Sequence, residues 1–162
     1  MAQPEQTDSK ERQSLFIFSL NTEWFGLPAG IVEEVVDDRM PHSLPHRRDT
    51  IVKGIVNIRG QLVVCVSLSE MLGSAAAARV MPDAGISASR LLVIRREHFR
   101  VAFAVTVAHG VEPYDTASLL AVPSTLAAAS RKFTRGMLDW NGHAVGCLNE
   151  DLLFHALERG LS

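Results

Sequence analysis

Cysteine is scarce in this chain, which has only two among its 162 residues. Cys65 and Cys147 each lie inside an apolar run, and two cysteines are too few for a disulfide scaffold in a domain of this size. We therefore expect buried, unreactive thiols in a protein of the reducing cytoplasm. A catalytic thiol would need an accessible, electropositive setting that these runs do not offer.

Long hydrophobic runs and a large net charge are also missing. Even the longest unbroken apolar runs, such as Leu62–Val66, are only about five residues long. A helix that spans a bilayer needs about 20 apolar residues. The polar opening segment contains no signal-peptide core, so we expect neither secretion by that route nor membrane insertion. The formal net charge is −2, which removes the main driving force for binding nucleic acid.

Motifs for catalysis, metal binding and phosphate binding are absent as well. His42 and His46 have the spacing of metal ligands, but each follows a proline and no further ligand lies nearby, which favours a solvated loop. No glycine-rich phosphate-binding motif occurs. We expect no cofactor and no enzymatic activity. The alternatives left open are a small-barrel module that binds a ligand or nucleic acid, and an enzyme that uses Cys65 or the histidine pair.

An internal repeat is the strongest feature that the sequence does contain. Lys53–Ser67 aligns with Arg135–Asn149 at an offset of 82 positions, and a weaker pairing sets Leu15–Pro28 against Leu91–Ala104 at an offset of 76. The identical residues of the first alignment are Gly54, Gly60, Val63 and Cys65, which meet Gly136, Gly142, Val145 and Cys147. The chain therefore consists of two copies of one arrangement of short apolar blocks.

The blocks have the composition and turns of short strands. Arg59-Gly60 and Asn141-Gly142 each lie between two apolar runs, as in tight hairpins. Helical spacing is limited to Ile31–Val36, Leu68–Leu72 and Asp151–Glu158. We predict a mainly β fold of two SH3-like five-stranded β-barrel subdomains, related by internal duplication and carrying short capping helices.

The expected domain boundaries follow from composition. Residues 1–13 are polar and predict a disordered tail, and residues 74–89 are small-residue, proline-interrupted sequence typical of a surface connection. We expect residues 14–73 to form most of the first barrel. Residues 90–158 are expected to form most of the second barrel and the C-terminal helix.

One difference between the two copies points to a function. Asn141 suits a tight turn, whereas Arg59 gains nothing from that geometry. A guanidinium that projects beside Asn57 could bind a partner carboxylate or backbone carbonyls. It could equally pair with the acidic stretch Glu33–Asp38 of its own copy, and spacing alone does not decide between the two interpretations.

The block Ile51–Leu68, together with Leu15–Leu27 and Ile31–Val35, resembles the CheW-like coupling proteins of bacterial chemosensory arrays. The resemblance extends from about Ser14 to Leu157. It implies two SH3-like barrels in a non-catalytic scaffold of the cytoplasm, associated with membrane receptor arrays. Such a scaffold joins the regulatory domain of a CheA-like histidine kinase to the cytoplasmic tips of methyl-accepting chemoreceptors.

The resemblance also implies a surface that contacts the receptor, and it favours a binding role for Arg59. The residues implied are Val32 and Glu34 on the predicted first helix, with Gly54, Asn57, Arg59 and Gly60 around the turn. The sequence departs from the family at Ser67, Thr106 and Leu148, where many members carry other residues. Similarity to the CheW-like members of Wsp-type surface-sensing systems implies an output through a response regulator that makes cyclic di-GMP.

Overall fold

The computed structural model describes residues 12–37, 41, 51–73 and 90–161. Within these ranges the chain forms ten strands, three α-helices and two 3-10 turns. The strands are β1 (Arg12–Leu20), β2 (Glu23–Pro28), β3 (Val32–Asp37), β4 (Val52–Ile58), β5 (Gln61–Val66), β6 (Arg90–Arg96), β7 (Phe99–Val105), β8 (Val107–Asp115), β9 (Thr134–Trp140) and β10 (His143–Leu148). The helices are α1 (Leu68–Met71), α2 (Ala128–Phe133) and α3 (Glu150–Leu161), and the 3-10 turns are Ala29–Ile31 and Thr116–Ser118.

The strands form two five-stranded sheets with the same internal order. Sheet A has the order β8-β1-β2-β10-β9, and sheet B has the order β3-β6-β7-β5-β4. Each sheet takes its central hairpin from one half of the chain and its other three strands from the other half. The expected mainly β fold with two five-stranded units is confirmed.

The exchange of hairpins mixes the two halves of the chain within each sheet. The first half supplies three strands of sheet B and two of sheet A, and the second half supplies the remaining two and three. Arg12 and Gln13, which we expected in the tail, are the first residues of β1. Residues 1–11 and the expected connection 74–89 lie outside the described residues.

Neither sheet is a closed barrel. In the described ranges β8 and β9 form no ladder with each other. The gap between these two edge strands is instead spanned by a bridge between Leu120 and Met137, in which each backbone N–H donates to the other residue's carbonyl at 2.8 and 2.9 Å. The units are therefore curved, SH3-like sheets that are open in their hydrogen bonding.

The strand register confirms the duplication. In sheet A, Gly146 of β10 lies opposite Phe25 of β2 in parallel pairing, and in sheet B, Val64 of β5 lies opposite Val101 of β7. A shift of 82 positions carries Val64 onto Gly146, and a shift of 76 carries Phe25 onto Val101. The same parallel pairing therefore occurs once in each sheet, between residues that the two sequence offsets relate.

Apolar side chains fill three cores. The large shared core lies between the sheets, where Phe18 and Phe103 have ring centroids 5.7 Å apart. Each sheet also buries a smaller core on its other face. That of sheet B contains Val56, Ile58, Val63, Cys65, Leu91, Val93 and Ala102, and that of sheet A contains Leu15, Ile17, Leu138, Val145 and Cys147.

The segment Ile31–Val36 is not the predicted helix, because Val32–Asp37 forms β3 and pairs with β6. A bulge leaves Glu33 outside the ladder, so Val32 and Val35 both pack against the shared core although they are three positions apart. That spacing imitates a helical pattern. The β-branched side chains and the available sheet edge favour the strand.

The other two expected helices are confirmed as α1 and α3, and both begin at capped positions. Ser67 Oγ accepts a hydrogen bond from the Glu70 backbone N–H at 3.2 Å. Asn149, the equivalent residue at an offset of 82, accepts bonds from Asp151 and Leu152 at 3.0 and 3.1 Å. Short polar side chains at these positions satisfy backbone donors that a helix start leaves unpaired.

Candidate partner-binding site

The turn between β4 and β5 holds Arg59 in a left-handed conformation. Arg59 and Gly60 have φ values of 55° and 82°, and the equivalent Asn141 and Gly142 have 52° and 82°. Two successive positive φ values are typical of the type I′ hairpin, which asparagine and glycine adopt most readily. The side chain of Asn57 supports the turn, since its Oδ1 accepts a hydrogen bond from the Gly60 backbone N–H at 2.9 Å.

Glu34 holds the guanidinium of Arg59 from the neighbouring edge of the same unit. Arg59 Nε donates to Glu34 Oε1 at 2.8 Å, so the predicted alternative of pairing with its own acidic stretch does occur. The side chain of Arg59 is nevertheless 77% exposed, against 19% for Glu34. Because the contact engages Nε, the terminal nitrogens remain available to donate to a partner.

Further charged residues brace the acidic strand beside this pair. Arg100 Nε donates to Glu33 Oε1 at 2.8 Å, and Arg100 Nη1 donates to the side chain of Gln61. Arg95 lies 3.8 Å from the same carboxylate. Leu62, the first residue after Gln61, is 73% exposed and adds an apolar side chain to this polar surface.

The structure brings together four of the six residues expected to contact a receptor. Glu34, Asn57, Arg59 and Gly60 meet at the turn through the bonds described above. Val32 is half-buried against the shared core, and Gly54 is buried within β4 opposite Cys65. Val32 and Glu34 lie on strand β3 and not on the expected helix, because this segment pairs with β6.

The equivalent end of sheet A carries aromatic rings in place of these charges. The ring cluster, as we call it, consists of Trp24, His109, Trp140 and His143. Ring centroids are 5.4 Å apart for the two tryptophans, 5.2 Å for Trp24 and His143 and 4.5 Å for His109 and Trp140. The offsets of 76 and 82 relate these residues, in the same order, to Arg100, Glu33, Ile58 and Gln61.

Sequence reasoning missed the ring cluster, because no local pattern links His109 and His143 to the two tryptophans. The repeat contained the signal. Aligning the two copies sets His109, Trp140 and His143 of the second half beside positions that surround the Arg59 turn in the first. The exchange of hairpins between the halves hides this proximity from any reading of a single copy.

The two cysteines are buried, as expected. Burial raises the pKa of the Cys147 thiol to about 11, and burial likewise raises the pKa of Tyr114 near it. A thiol that stays protonated at neutral pH is a poor nucleophile. His42 and His46 lie outside the described residues. Within the described ranges no three His, Cys, Asp or Glu side chains are grouped to hold a metal ion.

None of the helices that the structure describes is long and apolar enough to cross a membrane.

Comparison with known proteins identifies the family. No curated protein matches the sequence. A solved structure that is similar is the scaffolding protein TtCheW from Thermoanaerobacter tengcongensis, with 23% identity and a TM-score of 0.68, covering 85% of this chain and 84% of that one. This similarity supports the two-unit fold. The family model described as the CheW-like domain matches residues 14–158, and the chain therefore belongs to the CheW-like family.

Proposed function

We propose that this protein is an adaptor that couples the cytoplasmic tips of methyl-accepting chemoreceptors to the regulatory domain of a CheA-like histidine kinase. Membership of the CheW-like family supports the coarser statement that it is a scaffold of chemotaxis-type signalling. CheW-like proteins are non-catalytic scaffolds. Association with receptor arrays at the cytoplasmic face of the membrane is part of the proposal, as is an output through a response regulator that makes cyclic di-GMP.

The observation that carries the receptor contact is the presentation of Arg59. An arginine occupies a left-handed turn position where the other copy of the fold has asparagine, and its side chain is 77% exposed while its Nε is held by Glu34. Holding one edge of the planar group restricts its orientation and lowers the entropy lost on binding. The free edge suits bidentate contact with a carboxylate or with carbonyls at a helix end.

The surface around Arg59 favours a reversible contact. Leu62 offers an exposed apolar side chain within a polar, charged surrounding, and Asn57 keeps the turn rigid. Small interfaces of this composition bind with micromolar or weaker affinity. Arrays built from many such contacts can assemble and rearrange, which is the property that a coupling protein needs.

The direct test is the affinity of the purified protein for a receptor-tip fragment, measured by isothermal titration. Arg59→Glu is expected to weaken binding at least about tenfold, because it removes the donor and places two carboxylates together. Asn141→Glu is the matched control, since it puts the same side chain at the equivalent turn of the other unit. We expect it to change the affinity by less than about twofold.

Circular dichroism must show the same folded spectrum for both variants. Should Arg59→Glu fold normally and bind the fragment as the wild type does, the receptor contact at this turn is wrong. Loss of binding in both variants alike would assign the effect to general destabilisation. Arg59→Gln, which adds no negative charge, then separates loss of the donor from repulsion.

A further inference from the structure

The ring cluster is a partly exposed surface whose residues do not belong to the proposed receptor contact. His109 and His143 are exposed, and Trp24 and Trp140 are half-buried at the end of the small core of sheet A. These are the two tryptophans of the whole chain. At the equivalent end of sheet B two of the four corresponding residues, Arg100 and Glu33, are charged and none is aromatic, so the two ends of the duplicated fold differ in chemistry.

The charges beside the rings are acidic. Glu112 Oε2 lies 2.7 Å from His109 Nε2, and the Glu112 side chain is 36% exposed. Within two positions of the four ring residues the only charged residues in the sequence are Glu23 and Asp139, and both are exposed. Aromatic faces and carboxylates both attract cations, and they repel the phosphates of nucleic acids.

The described part of the chain places no cation of its own over these tryptophans. Its two cation–π contacts join Arg96 to Phe154 and Lys132 to Phe133, which lie outside the ring cluster. Trp24 and Trp140 each keep part of their surface exposed, so a cation from another molecule can reach the exposed part of a ring. A planar guanidinium fits better than an ammonium, because it can stack on an indole and donate to a carboxylate at the same time.

We propose that the ring cluster binds an arginine side chain of a partner protein. The guanidinium stacks against Trp140, whose ring contacts that of His109, and donates to the Glu112 carboxylate that lies beside His109. This surface is separate from the Arg59 turn, so the scaffold carries a cationic contact at one end and a cation-binding contact at the other.

The experiment uses intrinsic tryptophan fluorescence, which in this protein reports on the ring cluster alone. The full chain is titrated with a short glycine-arginine peptide and with the same peptide carrying citrulline, which keeps the shape but lacks the charge. We expect a saturable change with the arginine peptide and an affinity at least about tenfold lower for the citrulline peptide. A lysine peptide is expected to bind with an intermediate affinity.

Two variants locate the contact. Glu112→Gln is expected to weaken the arginine peptide about three- to tenfold. Trp140→Ile introduces the residue found at the equivalent position of sheet B. It is expected to abolish the saturable fluorescence change, which the remaining tryptophan, Trp24, would report. Glu158→Gln, which removes an exposed carboxylate of α3, serves as the matched control and is expected to leave the titration unchanged.

Three outcomes would overturn the proposal. The first is no saturable response of the wild type to the arginine peptide up to about 10 mM, a limit that corresponds to negligible affinity. The second is an equal response to the citrulline peptide, which would indicate an apolar site. The third is a response to a single-stranded oligonucleotide in place of the arginine peptide, which would assign the rings to base stacking. Because the receptor fragment is absent, none of these outcomes depends on the proposed adaptor function.

Discussion

Replacing Arg59 by asparagine separates the conformational cost of this residue from its value in binding. An ordinary L-residue in the left-handed region costs about 1–2 kcal/mol, and asparagine avoids much of that cost. The change also removes the contact with Glu34, and an exposed ion pair contributes about 0.2–1 kcal/mol. The two effects oppose each other, so Arg59→Asn is expected to change the free energy of unfolding by about 0 to +1 kcal/mol.

The assay is urea unfolding followed by far-UV circular dichroism, in a cycle with Glu34→Gln. In the Glu34→Gln background Arg59→Asn breaks no ion pair, so the stabilising effect of Arg59→Asn should rise to about 1 kcal/mol. Asn141→Arg tests the same turn in reverse. Gly110 occupies the position equivalent to Glu34, and this variant should therefore lose about 1 kcal/mol with nothing to offset it.

The reasoning is refuted if Arg59→Asn destabilises the fold by more than about 1 kcal/mol, since the ion pair cannot account for that loss. It is also refuted if Arg59→Asn and Asn141→Arg change stability in the same direction. If Arg59→Asn keeps the stability of the fold but loses affinity for the receptor, then binding, and not the stability of the turn, accounts for the arginine at this position.

Two further predictions concern the interior. A Cβ added at Gly26 would lie 2.5 Å from Leu15 Cγ, so Gly26→Ala is expected to lower the free energy of unfolding by about 1–3 kcal/mol. Ala102→Gly, at the equivalent position of the other hairpin, should lower it by about 1 kcal/mol. An unchanged stability of Gly26→Ala would contradict the close packing against Leu15. Burial raises the Cys147 pKa from 9.0 to about 11, so the unfolded thiol ionises first and stability is expected to fall between those pH values. Urea midpoints measured across this range should show a smaller decline in Cys147→Ala, and an identical decline would exclude this thiol as a cause.

Most of the secondary structure could be predicted because it depends on local patterns. Alternating apolar residues and tight-turn residues identify the hairpins wherever they occur, and the starts of α1 and α3 are visible in Ser67 and Asn149. Two elements were not predicted: α2, which lies outside the expected helical segments, and β3, where the bulge at Glu33 places Val32 and Val35 on one face. A bulge changes the period of a strand without leaving a composition signal.

The candidate site was only partly predictable. The unusual arginine in the turn is visible as a difference between the two copies, and the pairing of Arg59 with Glu34 was one of two alternatives. The ring cluster depends on contacts between β2, β8 and the hairpin of β9 and β10. Residues so far apart in the chain are brought together by the sheet order, which local patterns do not contain.

The sequence by itself determined the scarcity of reactive chemistry, the strand content and the duplication, because these depend on composition and on repetition along the chain. The tertiary structure decided which strands share a sheet. Parallel pairing of β2 with β10 and of β5 with β7 joins segments that are distant in the chain. Burial of apolar side chains in the shared core, to which both halves contribute, stabilises this pairing. Two cysteines that first excluded a disulfide scaffold are now equivalent positions in the two small cores.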